Sequence, residues 1–321
     1  MRSQFNHSPD KQLVAHIVQR YMGESVLTVD RFSTGACHFV YDVTTKTHQN
    51  FVVRIATSEN KEFLTGATYW HRLLKPKGVP LPDILYSDIE AVTSPCPYMI
   101  IERLAGEDLG IAYPRLSKDE KKVLAGEVSR IQEIAGTLPF GQGFGFVGSY
   151  ESDSFLKAWV DVLYSSLARS RKRIQAIGAV DARHVDRVAG KIAKYEGYFS
   201  QVKPKCFLDD TTTRNVIVCD GKLSGIVDVD FVCFGDNLFP IALTRMSLLN
   251  MGGDLDYIEF WCDAADVTEE QRDVLQFYTA LFCVDFMGEL GQTFNKESAQ
   301  SVKSEDIQRL SSILDVLLDQ I

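Results

Sequence analysis

The segment KCFLDDTTTRNVIVCDGKLSGIVDVDF, residues 205–231, decides the fold of this sequence and the chemistry it can offer. Two short apolar runs, NVIV and LSGIV, flank an Asp-Gly pair, which is a strong signal for the tight turn of a β-hairpin. In that hairpin Asn215 stands at the start of the first strand and Asp228 at the end of the second, so both side chains come to one end. Asp210 lies one short loop away. The segment therefore predicts a hairpin with oxygen-bearing side chains at its open end.

These side chains suit phosphoryl transfer. Carboxylate and carboxamide oxygens are hard ligands, and a Mg²⁺ ion held by two of them keeps several waters and binds phosphate oxygens. We predict that Asn215 and Asp228 are the ligands. Asp210 would orient a hydroxyl group and accept its proton as that group attacks a γ-phosphoryl group. The competing interpretation is that all three residues only cap turns, as Asp and Asn often do.

Composition limits the class of protein and its partners. The chain has 321 residues, of which 45% are hydrophobic, enough for two lobes that share a cleft. A net charge of -9 argues against a nucleic-acid or anionic membrane partner. No apolar run approaches the length of a membrane span, and the seven cysteines are scattered without a C-x-x-C pair. We expect a cytoplasmic protein.

The hydrophobic pattern changes along the chain. Up to about residue 104, β-branched and aromatic runs alternate with turns, and two helices are predicted, one between Asp10 and Gly23 and one over residues 62–74. The run CPYMIIERL is continuously apolar, which predicts a strand buried on both faces. Helical periodicity then dominates, with helices predicted at residues 118–135, 154–177 and 182–199. The order predicts an α+β fold with a small antiparallel lobe, including a hinge strand, at 1–104 and a larger helical lobe at 105–321.

The longer segment FLDDTTTRNVIVCDGKLSGIVDVDFVCFGD resembles the H-G-D-x-x-x-x-N … G-x-x-D-W … G-D block of the aminoglycoside phosphotransferases and related small-molecule kinases, which share the protein-kinase-like fold. Both spacings match. FSTGACHFVYDV is similar to the hairpin that covers the nucleotide, FVVRIA to the strand that carries a phosphate-contacting cation, and YMIIERLAGEDL to the hinge strand. The loop GFGFVGSY, followed by Trp159, resembles the hygromycin phosphotransferase branch.

The resemblance implies the same base and the same metal ligands as the spacing does. It also implies that Arg54 is the cation near the α- and β-phosphates. Gly35, in the covering hairpin, would let the backbone approach the phosphates because no Cβ obstructs it. Backbone groups of Glu102, Arg103 and Leu104 would hold the purine of ATP or GTP at the hinge.

Several positions depart from the family pattern. Leu208 and Asp209 stand where the family has histidine and glycine, so a second carboxylate flanks the predicted base. The cation is arginine, a planar fork, where many relatives have lysine. The helix glutamate that pairs with this cation in the family falls at Ala67, and Glu62, about one turn earlier, is the available substitute. These departures leave a catalytically weak or inactive kinase-like nucleotide-binding protein as the alternative function.

The acceptor is predicted from a second region, GGDLDYIEFWCDAADVTEEQRD, residues 252–273. In the family, the helical lobe after the metal site forms the acceptor pocket. Asp254, Asp256 and Glu259 would there favour a cationic amino sugar, and Trp261 would stack on its ring. The competing interpretations are a solvated acidic surface and a buried apolar helix face. The resemblance thus implies a Mg²⁺-dependent phosphotransferase that moves the γ-phosphoryl group of ATP or GTP to a hydroxyl of a small molecule, such as an aminoglycoside-like amino sugar.

The run DVDFV, residues 228–232, also fits the D-x-D-x-[TV] nucleophile loop of haloacid-dehalogenase-like phosphatases. In such an enzyme Asp228 would attack phosphate and Asp230 would protonate the leaving group. That fold requires further parallel strands after the motif, and the residues that follow here have a helical pattern. The sequence therefore favours the kinase over the phosphatase.

Overall fold

The computed structural model describes residues 9–32, 38–293 and 301–321. The predicted phosphate-covering residue Gly35 lies outside these residues. The described strands are β1 (Val26–Arg31), β2 (Phe39–Thr45), β3 (Asn50–Ile55), β4 (Ile84–Asp88), β5 (Tyr98–Glu102), β6 (Glu107–Asp108), β7 (Gly145–Val147), β8 (Lys205–Phe207), β9 (Val216–Cys219), β10 (Lys222–Ile226) and β11 (Val232–Gly235). The described helices are α1 (Lys11–Met22), α2 (Lys61–Leu74), α3 (Leu109–Ala112), α4 (Lys118–Ala135), α5 (Trp159–Ile177), α6 (Arg183–Ala189), α7 (Glu196–Phe199), α8 (Leu238–Met251), α9 (Asp256–Ala264), α10 (Glu269–Glu289) and α11 (Ser304–Asp319).

The first five strands form one antiparallel sheet in the order β1-β2-β3-β5-β4. Side chains alternate between its two faces, as the pleat requires. Alternate residues of β2, β3 and β5 pack against α1 on one face, while the intervening residues Met99 and Ile101 pack against α2 on the other. Residues 98–101 of β5 are all less than 9% exposed, so the prediction of a strand buried on both faces is confirmed.

The segment at 205–231 forms the predicted hairpin. β9 and β10 pair antiparallel, with Val216 opposite Ile226. The turn residues Asp220 and Gly221 both have positive φ, 50° and 73°, as in the two-residue turn that matches the natural twist of a hairpin. β6, which follows the hinge, adds to this sheet as its third strand. The hinge is therefore connected to the hairpin by backbone hydrogen bonds.

A second three-stranded sheet, β7-β11-β8, lies in the helical part of the chain. Every strand pair among the described residues is antiparallel. The parallel sheet that the phosphatase interpretation requires is therefore not formed in this part of the chain. No described helix is both long and apolar enough to cross a membrane.

Two predicted helices have different bounds. α5 begins at Trp159 and not at residue 154, because Leu156 exchanges backbone hydrogen bonds with Phe144 in an isolated bridge and is extended. The helix predicted over residues 182–199 is divided into α6 and α7, with Gly190 at the end of α6. Glycine is a poor helix former, and here it marks the division.

Trp159 ties α5 to α10 in the core of the helical lobe. Its side chain is 1% exposed, and its indole N–H donates to the Tyr278 hydroxyl at 2.6 Å. Removing it leaves a cavity and takes away one of the hydrogen bonds of the Tyr278 hydroxyl. We expect Trp159→Ala to lower the free energy of unfolding by about 3–5 kcal/mol, measured by urea denaturation. Tyr164→Ala, on the exposed face of the same helix (50% exposed), should change it by less than about 0.5 kcal/mol. Equal losses for both variants would contradict this assignment of the core.

Candidate active site

The two lobes are joined at a buried arginine. Arg54, on β3, is 6% exposed. Its Nη2 donates to Asp228 Oδ1 at 2.7 Å and to Asp230 Oδ2 at 2.6 Å, and lies 3.0 Å from His38 Nδ1. The predicted cation therefore lies at the end of the hairpin, and it contacts the predicted metal ligand Asp228 directly.

The hairpin brings Asn215 and Asp228 to the same end, as its register requires. The backbone N–H of Val227 donates to the Asn215 carbonyl at 2.9 Å, one residue beyond the last strand pair. Asp228 has a φ of 64°, a conformation that L-residues rarely adopt and that occurs at functional sites. Its side chain is 50% exposed, whereas Asn215 is buried.

Asp210 is fixed by short-range hydrogen bonds. Its Oδ1 accepts from the Thr212 hydroxyl at 2.7 Å and from the Thr212 N–H at 3.3 Å, and its carbonyl accepts from Asn215 Nδ2 at 3.1 Å. Burial raises the pKa of Asp210; the Thr212 hydroxyl opposes this, and the negative charge of Asp228 adds to it. Burial and the neighbouring Asp210 raise the pKa of Asp209 to about 8.

A glutamine that the sequence analysis missed holds the loop before Asp210. Gln132, on α4, donates from Nε2 to the Leu208 carbonyl at 2.8 Å and accepts from the Leu208 N–H at 2.9 Å. Its Nε2 also lies 3.0 Å from the Thr211 hydroxyl oxygen. A polar residue on the apolar face of a predicted helix was the available signal, because a buried amide requires partners.

The donor set around Asp228 fits a Mg²⁺ ion. The Asn215 amide nitrogen is engaged with Asp210, so its side-chain oxygen is the atom suited to a cation. Together with the Asp228 carboxylate it offers the hard oxygen ligands that Mg²⁺ prefers. His38, Asp228 and Asp230 also present ligand atoms within 4.8 Å of one another. The Arg54 guanidinium lies among these three groups and supplies the positive charge there.

The predicted hinge residues follow directly on β5. The Glu102 N–H donates to the Asp83 carbonyl at 2.8 Å. Arg103 donates from Nε to Asp42 at 3.1 Å and from Nη1 to the Leu104 carbonyl at 2.7 Å. The Arg103 side chain thus fastens the hinge to β2.

The four predicted acceptor residues lie on α9 or just before it. Ion pairs or hydrogen bonds hold the three carboxylates: Asp254 contacts Lys121 and Tyr113, Asp256 contacts Lys118, and Glu259 contacts Arg272. Trp261 is 1% exposed and packs against Tyr257 in the core, so its ring is not accessible to a sugar. The physical reason is the packing of α9, which places Asp254 and Asp256 beside lysines of α4 and Glu259 beside Arg272 of α10. Burial of Trp261 contradicts its predicted stacking on a sugar, whereas the acceptor role of Asp254, Asp256 and Glu259 stays a prediction.

A different carboxylate shares the electrostatic environment of Asp210. Glu289, at the end of α10, is accessible to solvent, yet the surrounding protein raises its pKa to about 7. The main cause is that the surrounding protein removes part of the carboxylate's hydration, followed by the charge of Asp285; the charges of Arg173 and Arg214 oppose the shift, and Asp210 adds to it. No local pattern in the sequence indicated Glu289, because only the fold brings the end of α10 to the loop that carries Asp210.

Comparison with known proteins assigns the fold. The sequence profile described as the phosphotransferase enzyme family matches residues 28–273. No curated protein sequence matches the chain significantly. Aminoglycoside phosphotransferase APH(4)-Ia has a similar structure, with a TM-score of 0.68, 15% identity, and coverage of 97% of this chain and 99% of that one.

Two structures with ligands are comparably similar. One is a thermostable mutant of APH(4)-Ia in a ternary complex with AMP-PNP and hygromycin B, with a TM-score of 0.66, 16% identity, and coverage of 96% of this chain and 98% of that one. The other is the GDP complex of a mutant aminoglycoside 2'-phosphotransferase-IIIa, with a TM-score of 0.68, 14% identity and coverage of 97% of both chains. The predicted α+β, protein-kinase-like two-lobed fold is confirmed. Similarity to two different enzymes does not select the hygromycin branch.

Arg54 also determines how stability depends on pH. Burial raises the pKa of Asp230 to about 7, and Arg54 opposes this rise. Removing the guanidinium raises that pKa further. The extra cost of the charged carboxylate therefore appears above about pH 7, where Asp230 is ionised in the wild type, and it is lost at acid pH, where Asp230 is protonated in both proteins. We expect Arg54→Met, measured in EDTA, to lower the free energy of unfolding by about 3–5 kcal/mol at pH 8 and by less at pH 5.

The matched control is Arg187→Met, which removes an ion pair with Asp315 whose side chains are 42% and 57% exposed. It should cost less than about 1 kcal/mol at both pH values. A loss for Arg54→Met that is the same at pH 5 and pH 8 would show that Asp230 does not depend on this arginine.

Proposed function

The chain belongs to the phosphotransferase enzyme family, and we propose that it transfers the γ-phosphoryl group of ATP or GTP to a hydroxyl of a small molecule in a Mg²⁺-dependent reaction. The observation that carries the proposal is the convergence of Asp210, Asn215 and Asp228 at the open end of one hairpin, facing Arg54. A base, a pair of oxygen ligands and a cation are the parts that phosphoryl transfer requires.

In this proposal Asp210 is the general base. The Thr212 hydroxyl and N–H hold one carboxylate oxygen in place, so the carboxylate is oriented before an acceptor hydroxyl arrives. Asp209 is the less suitable base, because a group with a pKa of about 8 is mostly protonated at neutral pH. We therefore assign the role of the base to Asp210.

Asn215 and Asp228 would hold the metal. A bound Mg²⁺ ion supplies positive charge to the β- and γ-phosphate oxygens. Asp228 has a half-exposed side chain, which can turn from Arg54 toward the cleft, whereas the buried Asn215 stays in place. Arg54 would contact the α- and β-phosphates.

The nucleotide would lie between the lobes. We assign the purine to backbone groups of Glu102, Arg103 and Leu104, and the covering role to Gly35. Both adenine and guanine nucleotides occur among the similar structures, as AMP-PNP and GDP, so both are candidate donors. We place the lobe boundary between residues 104 and 105, because β5 ends at Glu102 and β6 joins the hairpin sheet.

The acceptor we propose is a hydroxylated small molecule, with an amino sugar as the first candidate. Hygromycin B is bound by one of the structures to which this fold is similar. Glu289 supports a cationic group on the acceptor, since its carboxylate is accessible and electrostatically coupled to Asp210. Asp254, Asp256 and Glu259 are not needed for this role.

The decisive experiment is Mg²⁺-dependent phosphate transfer from ATP and GTP to a panel of amino sugars and other sugars. Asp210→Asn should retain nucleotide binding and lose turnover by on the order of 10³ or more, because the base is removed while the metal ligands remain. Asp220→Asn makes the same chemical change at the exposed hairpin turn and should leave turnover unchanged. Equal turnover for Asp210→Asn and the wild type would exclude Asp210 as the base, and absence of transfer to every acceptor would count against the enzymatic proposal.

Asp228→Ala tests the metal assignment independently of the acceptor. We expect the variant to lose the increase in melting temperature that Mg·ATP or Mg·GTP gives the wild type, because ligand binding to the folded form alone raises stability. Asp263→Ala, an exposed carboxylate on α9 (71% exposed), is the control and should keep the full increase. A normal increase for Asp228→Ala would remove this residue from the metal site.

A further inference from the structure

We propose that Asp230 is the positioning residue of Arg54: it holds the guanidinium toward the nucleotide phosphates while Asp228 leaves to bind the metal. The proposal rests on the proposed function and adds a residue to it. It accounts for two features of the sequence together, the second carboxylate of the DVDF run and the alanine at position 67.

The two carboxylates that contact Arg54 differ in their surroundings. The Asp230 side chain is 8% exposed and the Asp228 side chain is 50% exposed, although both lie within 2.7 Å of the same nitrogen. A buried carboxylate that loses its cation is left uncompensated, which is strongly unfavourable. A half-exposed carboxylate can exchange its cation for water or a metal. Asp230 is therefore the fixed partner and Asp228 the exchangeable one.

The number of hydrogens on Arg54 leads to the same conclusion. Its Nη2 carries two hydrogens, and three acceptor groups of the described residues lie close to it: Asp228 at 2.7 Å, Asp230 at 2.6 Å and His38 Nδ1 at 3.0 Å. Burial and Arg54 hold the pKa of His38 far below its ordinary value, so the ring is neutral and able to accept. When Asp228 turns away, Asp230 and His38 still use both hydrogens. Release of Asp228 thus leaves no donor of Nη2 unsatisfied.

Helix α2 approaches the backbone of Asp230 closely. A Cβ added at Gly66 would lie 2.1 Å from the Asp230 carbonyl oxygen, so only glycine permits this contact. The next residue, Ala67, is 6% exposed and lines an interlobe cavity with Arg54 and Asp228. Because α2 presents only an alanine here, it offers no carboxylate to Arg54. In this proposal the carboxylate that holds Arg54 comes instead from the loop after β10. Glu62 is exposed on α2, away from this buried pair.

The test is a double-mutant cycle between Asp230→Asn and Arg54→Met, measured on the full chain. Asp230→Asn keeps the shape of the side chain and removes its charge. We expect it to weaken Mg·ATP or Mg·GTP binding, and to lower kcat/KM for the nucleotide, by about 10- to 100-fold, the range for a hydrogen bond to a charged group. In the Arg54→Met background the same substitution should have less than about a twofold effect, because Asp230 acts through Arg54. Additive effects of the two substitutions would overturn the proposal.

Mg²⁺ dependence separates positioning from metal ligation. The Mg²⁺ concentration that gives half-maximal activity should be unchanged in Asp230→Asn, whereas substitution of a direct metal ligand would shift it. A shift that Asp230→Asn also causes in the Arg54→Met background would overturn the proposal. Asp236→Asn is the matched control: Asp236 is also buried, accepts from Tyr278 and the Leu238 N–H, and is given no role at the nucleotide in this proposal. It should lower stability and leave nucleotide affinity within about twofold.

Asp230→Glu provides a second test in case Asp230→Asn does not fold. It retains the charge and moves the carboxylate by one methylene group, so a displaced guanidinium should weaken nucleotide binding by about tenfold even in a folded, charged variant. Wild-type affinity in Asp230→Glu would contradict the positioning role. Failure of the wild-type protein itself to bind either nucleotide would instead refute the proposed function, and the two failures are therefore distinct.

Discussion

The structure depends on one buried ionic contact between the lobes, in which Arg54 of β3 meets Asp228 and Asp230 beyond the end of β10. The partners are separated by 174 and 176 residues in the chain. Taking such charges out of water costs several kcal/mol per ion, and the attraction between them recovers this only with good geometry. A contact of this kind is weak evidence for stability. The contact matters for the site because it fixes a cation at the place where the N-terminal sheet faces the hairpin.

The surrounding backbone makes that position rigid on both sides. β6 pairs with β9, and the Ile226 N–H donates to the Pro80 carbonyl at 2.9 Å, so the hairpin is held to the segments before and after the hinge strand. The Trp70 indole N–H donates to the Val147 carbonyl at 2.9 Å and ties α2 to the helical lobe. Hydrogen bonds to the main chain thus fix the surroundings of the site, and among the two carboxylates on Arg54 the half-exposed side chain of Asp228 is the less enclosed.

Local patterns predicted the hairpin and the convergence of Asn215 with Asp228, because a two-residue turn fixes the register over a short stretch of chain. They did not predict contacts made by distant residues. The ion pair between Lys121 and Asp254 spans 133 residues, and the pairing of Asp256 with Lys118 and of Glu259 with Arg272 likewise depends on where α9 packs. Gln132 and Glu289 were missed for the same reason: each acquires its role from a neighbour that only the tertiary fold supplies.

The alanine at position 67 need not indicate an inactive protein. A cation at a phosphate site requires a carboxylate that holds it and is not itself removed by the metal, and the chain element that provides this carboxylate is not fixed by the chemistry. Here α2 lies so close to the loop that Gly66 meets the backbone of Asp230, and the buried Asp230 side chain already occupies the space beside Arg54 at 2.6 Å. A glutamate from α2 would bring one more negative charge to a site that already holds two carboxylates around one guanidinium. Exchange of the helix carboxylate for a loop carboxylate is therefore consistent with a working phosphotransferase.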